Sequence, residues 1–210
     1  MTENITVFVQ NSIRVTSEVG QIYIDPFKFK GAPHDAAFIL LTHDHYDHFS
    51  PEDIEKVASE KTILVVPEKM ASEAKKLSRY VSRVETVEPG MSKIVDGLKL
   101  ETVPAYNLSK QFHRKKCGWV GYILEIGGQR IYVAGDTDAT PEAAAVKCDV
   151  ALVPIGGTFT MDAEEAADLV NRMQPKVAIP VHYGAVVGSP SDGKRFAALV
   201  KPPVQVELKM

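Results

Sequence analysis

Cysteine is scarce in this sequence: Cys117 and Cys148 are the only two in 210 residues, far apart in the chain. A disulfide framework is therefore not the organising device, and both read as reduced thiols in a cytoplasm, Cys148 as a core residue at the start of an apolar strand. Long apolar runs are missing too. None approaches the ~18 residues that suggest a membrane span, and Met1-Thr2-Glu3-Asn4 has neither the basic nor the apolar region of a secretory signal. A soluble, cytoplasmic protein is expected. Charge of one sign is also lacking. A net charge of −3 and a pI near 6.1 give no global attraction to nucleic acid or to an anionic membrane, which leaves Lys110 to Lys116 as the one concentrated basic stretch. There is no linker and no low-complexity segment. The composition, 45% hydrophobic and 24% charged, is that of an ordinary globular chain, so residues 1–210 read as one domain.

What is present is a repeated grammar of strands and helices. Short β-branched runs at 5–9, 13–15 and 22–24, separated by polar or glycine breaks, predict an antiparallel meander. An apolar run at 36–41, a helix from Pro51 to about Ala58, a strand at 62–66 and a lysine-rich amphipathic helix over 68–78 follow. Ser50, Pro51 and Asp53 predict a capping box at the first of these helices. Strands return at 84–87, 92–95 and 98–103, with Asp96-Gly97 as a hairpin signal. The second half repeats the pattern: strands at 121–126 and 130–134, a helix from about Pro141, a strand at 150–153, a helix at 162–173 opened by an Asp162/Glu165 capping box, a strand at 177–181, a helix from about Asp192 and a strand at 204–208. Strand runs followed by helix alternation, twice over, predict two facing mixed sheets with helices outside: an α/β fold arranged as a four-layer αββα sandwich.

The densest chemical signal is Thr42-His43-Asp44-His45-Tyr46-Asp47-His48, where a buried strand breaks into a loop. Imidazoles clustered so closely repel when protonated and gain nothing structurally, which favours metal binding over a fortuitous polar loop. On an extended segment His43 and His45 share a face, and the following turn brings Asp47 and His48 from the other side. One stretch can thus serve two metal ions. Asp136 and His182 each follow an apolar strand, where ligand sites gather. Taken singly, the first reads as a turn residue and the second as a satisfied core histidine.

His43-x-His45-x-Asp47-His48 resembles the signature of the metallo-β-lactamase-fold hydrolases. Three later stretches match in order: Val103-Pro104-Ala105-Tyr106-Asn107, Ile131 to Asp138 and Ile179 to Gly184. Their wording is most similar to the branch with ascorbate-phosphate lactonase and N-acyl phosphatidylethanolamine phospholipase D. The resemblance implies His43 and His45 on one metal, Asp47, His48 and His182 on the other, and Asp136 between them. It also implies catalysis by a metal-bound hydroxide, with Asp47, Asp136 and His182 at its centre. Zinc suits the imidazoles, and manganese or iron would accept a site with two carboxylates. The sequence departs from the family where a third histidine for the first metal is expected, at Ala105-Tyr106-Asn107. Asn107 could offer its amide oxygen, His113 could swing in from the following loop, or that metal could be weakly bound or absent.

The loop Lys110-Gln111-Phe112-His113-Arg114-Lys115-Lys116 reads either as a solvated surface or as a border of the site. In the second case Arg114 and Lys116 would bind a small anionic substrate. Its single aromatic makes nucleic-acid binding a poor reading. The expected activity is hydrolysis of a phosphoester, phosphodiester or lactone; the alternative is a metal-binding regulatory or sensor protein with the fold but little turnover.

Overall fold

The computed structural model describes residues 1–210. The opening runs form β1 (Ile5–Val7), β2 (Ile13–Ser17) and β3 (Gly20–Ile24), paired antiparallel as the meander expected. Then β4 (Ala36–Leu40), β5 (Ile63–Pro67) and β6 (Arg83–Val87) join in parallel, completing a six-stranded sheet in chain order. Parallel neighbours need crossovers. The first is α1 (Pro51–Val57). The second, expected as one helix, is α2 (Ala71–Ala74) with a 3₁₀ turn on either side, Glu68–Met70 and Lys75–Leu77. Met70, Ala74 and Leu77 are nonetheless buried, because the tighter turns keep that face on the sheet.

In the second sheet, β7 (Ser92–Val95), β8 (Leu98–Pro104), β9 (Val120–Ile126) and β10 (Gln129–Val133) run antiparallel. β11 (Val150–Pro154), β12 (Val177–Val181) and β13 (Gln205–Val206) continue in parallel, giving seven strands in all. The crossovers are α3 (Pro141–Ala145), α4 (Ala163–Met173) and α5 (Asp192–Leu199). Central strands β5, β11 and β12 are buried along their whole length, as a parallel strand covered on both faces must be.

Alternation along each strand divides the core into layers. Ile13, Ile22, Ile24, Leu40 and Val65 meet Leu100, Tyr122, Leu124, Leu152 and Ile179 between the sheets. Tyr23, Ile39, Leu64 and Val66 face the first pair of helices through Ile54, Val57 and Met70. Tyr132, Ala151, Val153 and Ala178 face Ala166, Leu169, Val170 and Phe196. The result is the αββα sandwich. Two bonds tie the sheets together beside the histidine motif: the buried Tyr122 hydroxyl donates to the Leu41 carbonyl at 2.7 Å, and Val120 N–H donates to the Thr42 carbonyl at 3.2 Å.

Two local details differ from expectation. Ser50 caps α1 by accepting from Asp53 N–H at 3.3 Å, but the Asp53 carboxylate does not return to the cap backbone; it accepts from Lys28 N–H at 2.8 Å and Phe29 N–H at 3.0 Å. The strand expected at 204–208 shrinks to two residues. The Asp162/Glu165 capping box forms with both of its bonds.

Candidate metal centre

The strand ends at Leu40, and the histidine motif is a loop closed by a turn in which His48 N–H and Phe49 N–H both donate to the His45 carbonyl, at 2.9 and 2.8 Å. The turn, rather than strand alternation, gathers the imidazoles. His43 Nε2 lies 3.1 Å from His45 Nδ1, and His48 Nε2 lies 3.2 Å from His182 Nε2. Nitrogens this close need a proton or a cation between them. Ligand nitrogens on a tetrahedral zinc, each about 2.0–2.1 Å from the ion, sit about 3.3 Å apart, so the spacing fits metal ligation.

Two neighbours fix which ring nitrogens face the site. The Asp25 carboxylate, fully buried at the end of β3, accepts from Asn11 Nδ2 at 2.7 Å, Thr42 N–H at 2.8 Å, the Thr42 hydroxyl at 2.6 Å and His48 Nδ1 at 2.7 Å. His48 therefore carries its proton on Nδ1 and turns Nε2 inward. The Thr42 hydroxyl, its own proton given to Asp25, accepts from His43 Nδ1 at 2.9 Å, so His43 also turns Nε2 inward. Nothing in the sequence marks Asp25, which stands before Pro26, as a site residue. Its left-handed φ of +46° is a signal visible only in the backbone.

His113 completes the first cluster. The atoms that His43, His45 and His113 offer lie within 4.8 Å of one another, as do those of His43, His48 and Asp136, and those of Asp47, His48 and His182. Asn107 holds the loop: its amide nitrogen donates to the Phe112 and Phe159 carbonyls at 3.1 and 2.7 Å, its N–H donates to the His113 carbonyl at 2.7 Å, and its amide oxygen is buried without a partner. Asp138 pins the same loop by accepting from Leu108 N–H at 2.9 Å and from Lys110. The chain's single tryptophan, Trp119, braces all three imidazoles, its ring 5.0, 4.9 and 5.0 Å from those of His43, His45 and His113.

Asp136 leaves the end of β10 between the clusters. Its Oδ1 is 3.3 Å from both His48 Nε2 and His182 Nε2, while Oδ2 is 3.5 Å from His113 Nε2 and 3.9 Å from His43 Nε2. Oδ1 is buried without a hydrogen-bond partner, an orphan that a cation would satisfy. His182 follows β12 with a left-handed φ of +60°. Glycine is required opposite it, because a Cβ on Gly156 would lie 2.5 Å from the His182 carbonyl. Gln10, fully buried, also reaches this side: its amide nitrogen donates to Asp47 Oδ2 at 3.3 Å, its amide oxygen accepts from Val186 N–H at 3.2 Å, and its carbonyl accepts from His182 N–H at 2.9 Å. Nothing in the sequence marks Gln10 as a site residue.

At His43, His113, Asp47 and Asp136 the electrostatics suit the neutral-imidazole, ionised-carboxylate state that ligation needs. Burial, with His48 beside it, holds His43 well below the usual histidine range, and burial pushes His113 down to about 4. Burial raises the Asp136 and Asp47 carboxyls, but the neighbouring His182 and His48 more than offset it, and both end below the usual carboxylate value. Burial lowers His48 as well, yet Asp136 and Asp25 on either side raise it well above the usual value. The pocket favours positive charge at this point, whether a proton or a metal ion supplies it.

A cavity of about 190 Å³ opens onto the cluster, lined by His45, Asp47, His113, Asp136 and His182 together with Tyr46, Phe112, Phe159 and Val186. Of the three tyrosines beside the motifs, Tyr46 lines it; Tyr106 donates to Glu142 instead, and Tyr183 packs against Gly193. Arg114 and Lys116, expected at its border, are exposed and outside the lining. Arg114 Nε turns back to the Gln111 carbonyl at 3.4 Å, and the Lys116 carbonyl accepts from Lys69.

Two mixed sheets between helices, with histidines and aspartates converging from the strand ends of both, define a metallo-hydrolase architecture. The family model described as the beta-lactamase superfamily domain matches residues 4–182, and the chain belongs to that superfamily, the metallo-β-lactamase-fold metal-dependent hydrolases. It is similar to the UPF0173 metal-dependent hydrolase TK0141 of Thermococcus kodakarensis, 34% identical over 202 residues that span 89% of this chain and 87% of the relative. A crystal structure from Parabacteroides distasonis is 28% identical and superposes with a TM-score of 0.80 over 97% of this chain and 91% of the other. Igni18, a metallo hydrolase from Ignicoccus hospitalis, shares the fold at 23% identity and a TM-score of 0.76, covering 98% of this chain and 94% of its own. No helix is long and apolar enough to cross a membrane.

Proposed function

We propose that the protein is a dinuclear metal hydrolase that acts on a small phosphoester, phosphodiester or lactone. His43, His45 and His113 would hold one ion, Asp47, His48 and His182 the other, and Asp136 would touch both. The observation that carries this reading is the division of the Asp136 carboxylate, with Oδ1 3.3 Å from two imidazole nitrogens of one group and Oδ2 3.5 and 3.9 Å from two of the other. Five imidazoles and two carboxylates suit zinc best and leave manganese or iron as alternatives. When bound, two such ions supply Lewis acidity and a water acidified towards neutral pH.

The chain's own groups do the rest. Asp25 and Thr42 hold His48 and His43 in one tautomer, so their Nε2 lone pairs stay on the site. Trp119 backs the His43, His45 and His113 rings with aromatic surface. The sensor alternative rests on the lack of a histidine at Ala105-Tyr106-Asn107, and His113, with its Nε2 3.5 Å from Asp136, supports the hydrolase reading by offering a third imidazole. The test is metal analysis of the purified protein alongside turnover of generic phosphodiester and lactone substrates. Near two equivalents of metal with turnover abolished by a chelator supports the reading; tight metal binding without turnover on either substrate class favours the sensor.

A further inference from the structure

Four of the cavity's lining side chains belong to neither metal group: Tyr46, Phe112, Phe159 and Val186. Tyr46 is 66% exposed and Phe112 52% exposed, so neither ring is there to fill a core. Both are held in place. Phe112 packs edge-on against Phe159 at 5.1 Å, and Tyr46 against Phe27 at 6.0 Å. Phe112 directly precedes His113, whose φ of +56° turns the loop inward. The loop that delivers the imidazole to the cluster therefore delivers the ring to the cavity, and Asn107 fixes both through the Phe112 and Phe159 carbonyls.

The lining holds no lysine or arginine, although the same loop is rich in them. Lys110 pairs with Asp138 and Lys115 with Glu142, while Arg114, which donates to the Gln111 carbonyl, and Lys116 are exposed outside the lining. Outside the metal centre, the wall has nothing to pair with a charged substituent. A cavity of about 190 Å³ is also small against the roughly 300–1,000 Å³ typical of ligand pockets, so it accepts one compact group.

We infer that the substrate carries a compact, uncharged apolar substituent, aryl or short alkyl, beside its scissile bond, seated among Phe112, Phe159, Tyr46 and Val186; this rests on the metal-hydrolase reading above. The rings exclude water on one side while the scissile group meets the centre on the other. Selectivity then comes from the apolar wall, and a substrate with a second anionic group gains nothing from it.

The test is binding of metal-chelating hydroxamates to the zinc-loaded protein by calorimetry, comparing acetohydroxamate with hexanohydroxamate, benzohydroxamate and the monohydroxamate of succinic acid. Partial burial of four added methylenes should tighten hexanohydroxamate about tenfold or more over acetohydroxamate. Benzohydroxamate should follow it, and the succinic probe should not. Phe112→Ala and Phe159→Ala should each shrink the ratio of hexano- to acetohydroxamate affinity severalfold. A flat series with acetohydroxamate still bound, a ratio unchanged in both variants, or tightest binding of the succinic probe would overturn the apolar wall alone. Failure of the zinc-loaded protein to bind acetohydroxamate at all would overturn the metal-centre reading and the inference with it.

Discussion

Asp25 Oδ2 sits 2.7 Å from His48 Nδ1, both side chains fully buried. β3 and β4 pair in parallel with Ile24 opposite Leu40, so the first residue past β3 is brought beside the loop that follows β4. A carboxylate behind a metal-ligating histidine orients the ring and makes it a stronger donor. Asp25→Asn should weaken zinc binding about 10–100-fold. Competition with a chromophoric chelator reads the affinity, because Trp119 lies about 5 Å from His43, His45 and His113, the rings proposed for the other ion. Wild-type zinc affinity in the variant would limit Asp25 to a structural role.

His113 and Asn107 occupy the same loop with different tasks, and substitution should separate them. His113→Ala removes a proposed ligand and should lower bound metal from near two equivalents towards one. Asn107→Ala leaves every imidazole in place but frees the Phe112 and Phe159 carbonyls, so metal content should stay near two while amide exchange in the loop speeds up. Equal metal loss in the two variants would mean that Asn107 ligates as well.

Asp136→Asn keeps the shape but removes the one negative charge shared by both clusters. The group of His43, His45 and His113 has no carboxylate of its own, whereas the other keeps Asp47. Its ion should leave first. Metal content should fall towards one equivalent, and hydrolysis by at least ~100-fold. A variant with two ions and full activity would show that the shared role is wrong.

Gln10 ties Asp47 to the segment after His182, at 3.3 Å to the carboxylate and 3.2 Å to Val186 N–H. With a hydrogen bond to an ionised carboxylate worth about 1.5 kcal/mol or more net, Gln10→Leu should weaken the ion held by Asp47, His48 and His182 by about tenfold or more and raise amide exchange at Val186. Unchanged metal affinity together with unchanged exchange would leave Gln10 a packing residue.

Asp53 gives a pH signature outside the candidate metal centre. Burial raises its carboxyl, but Lys56, Ser50 and the N–H groups of Phe29 and Lys28 lower it further, leaving it below the usual value. With the folded value under the unfolded value of about 3.9, the ionised group stabilises the fold above about pH 4, and this fades as pH falls through the folded value. Asp53→Asn should lower the urea midpoint at pH 7, and the gap to wild type should narrow by pH 3. A gap constant from pH 7 to pH 3 would assign the loss to geometry rather than charge.

The sequence by itself determined whatever rests on neighbours in the chain. His43, His45, Asp47 and His48 lie within one turn, so their gathering needs no distant partner. β-branched runs set the strands, Ser50 and Asp162 set helix starts, and Asp136 and His182, each after an apolar strand, became candidates only beside the histidine motif and through the family resemblance. Tertiary structure alone decided the rest. His113 enters through a loop whose path is fixed by Asn107 and Asp138, and loop contacts have no sequence period from which a direction can be read. Asp25 becomes the partner of His48 through parallel strand pairing, and Gln10 reaches Asp47 because the His182 N–H bond to its carbonyl joins the two sheets. The basic run of Lys110 to Lys116 reads in sequence either as a solvated surface or as a border for an anion; in the fold Lys110 and Lys115 pair with Asp138 and Glu142 and Arg114 turns back to its own loop. A charge's partner is set by which carboxylates fold beside it, and that is a property of the packed chain.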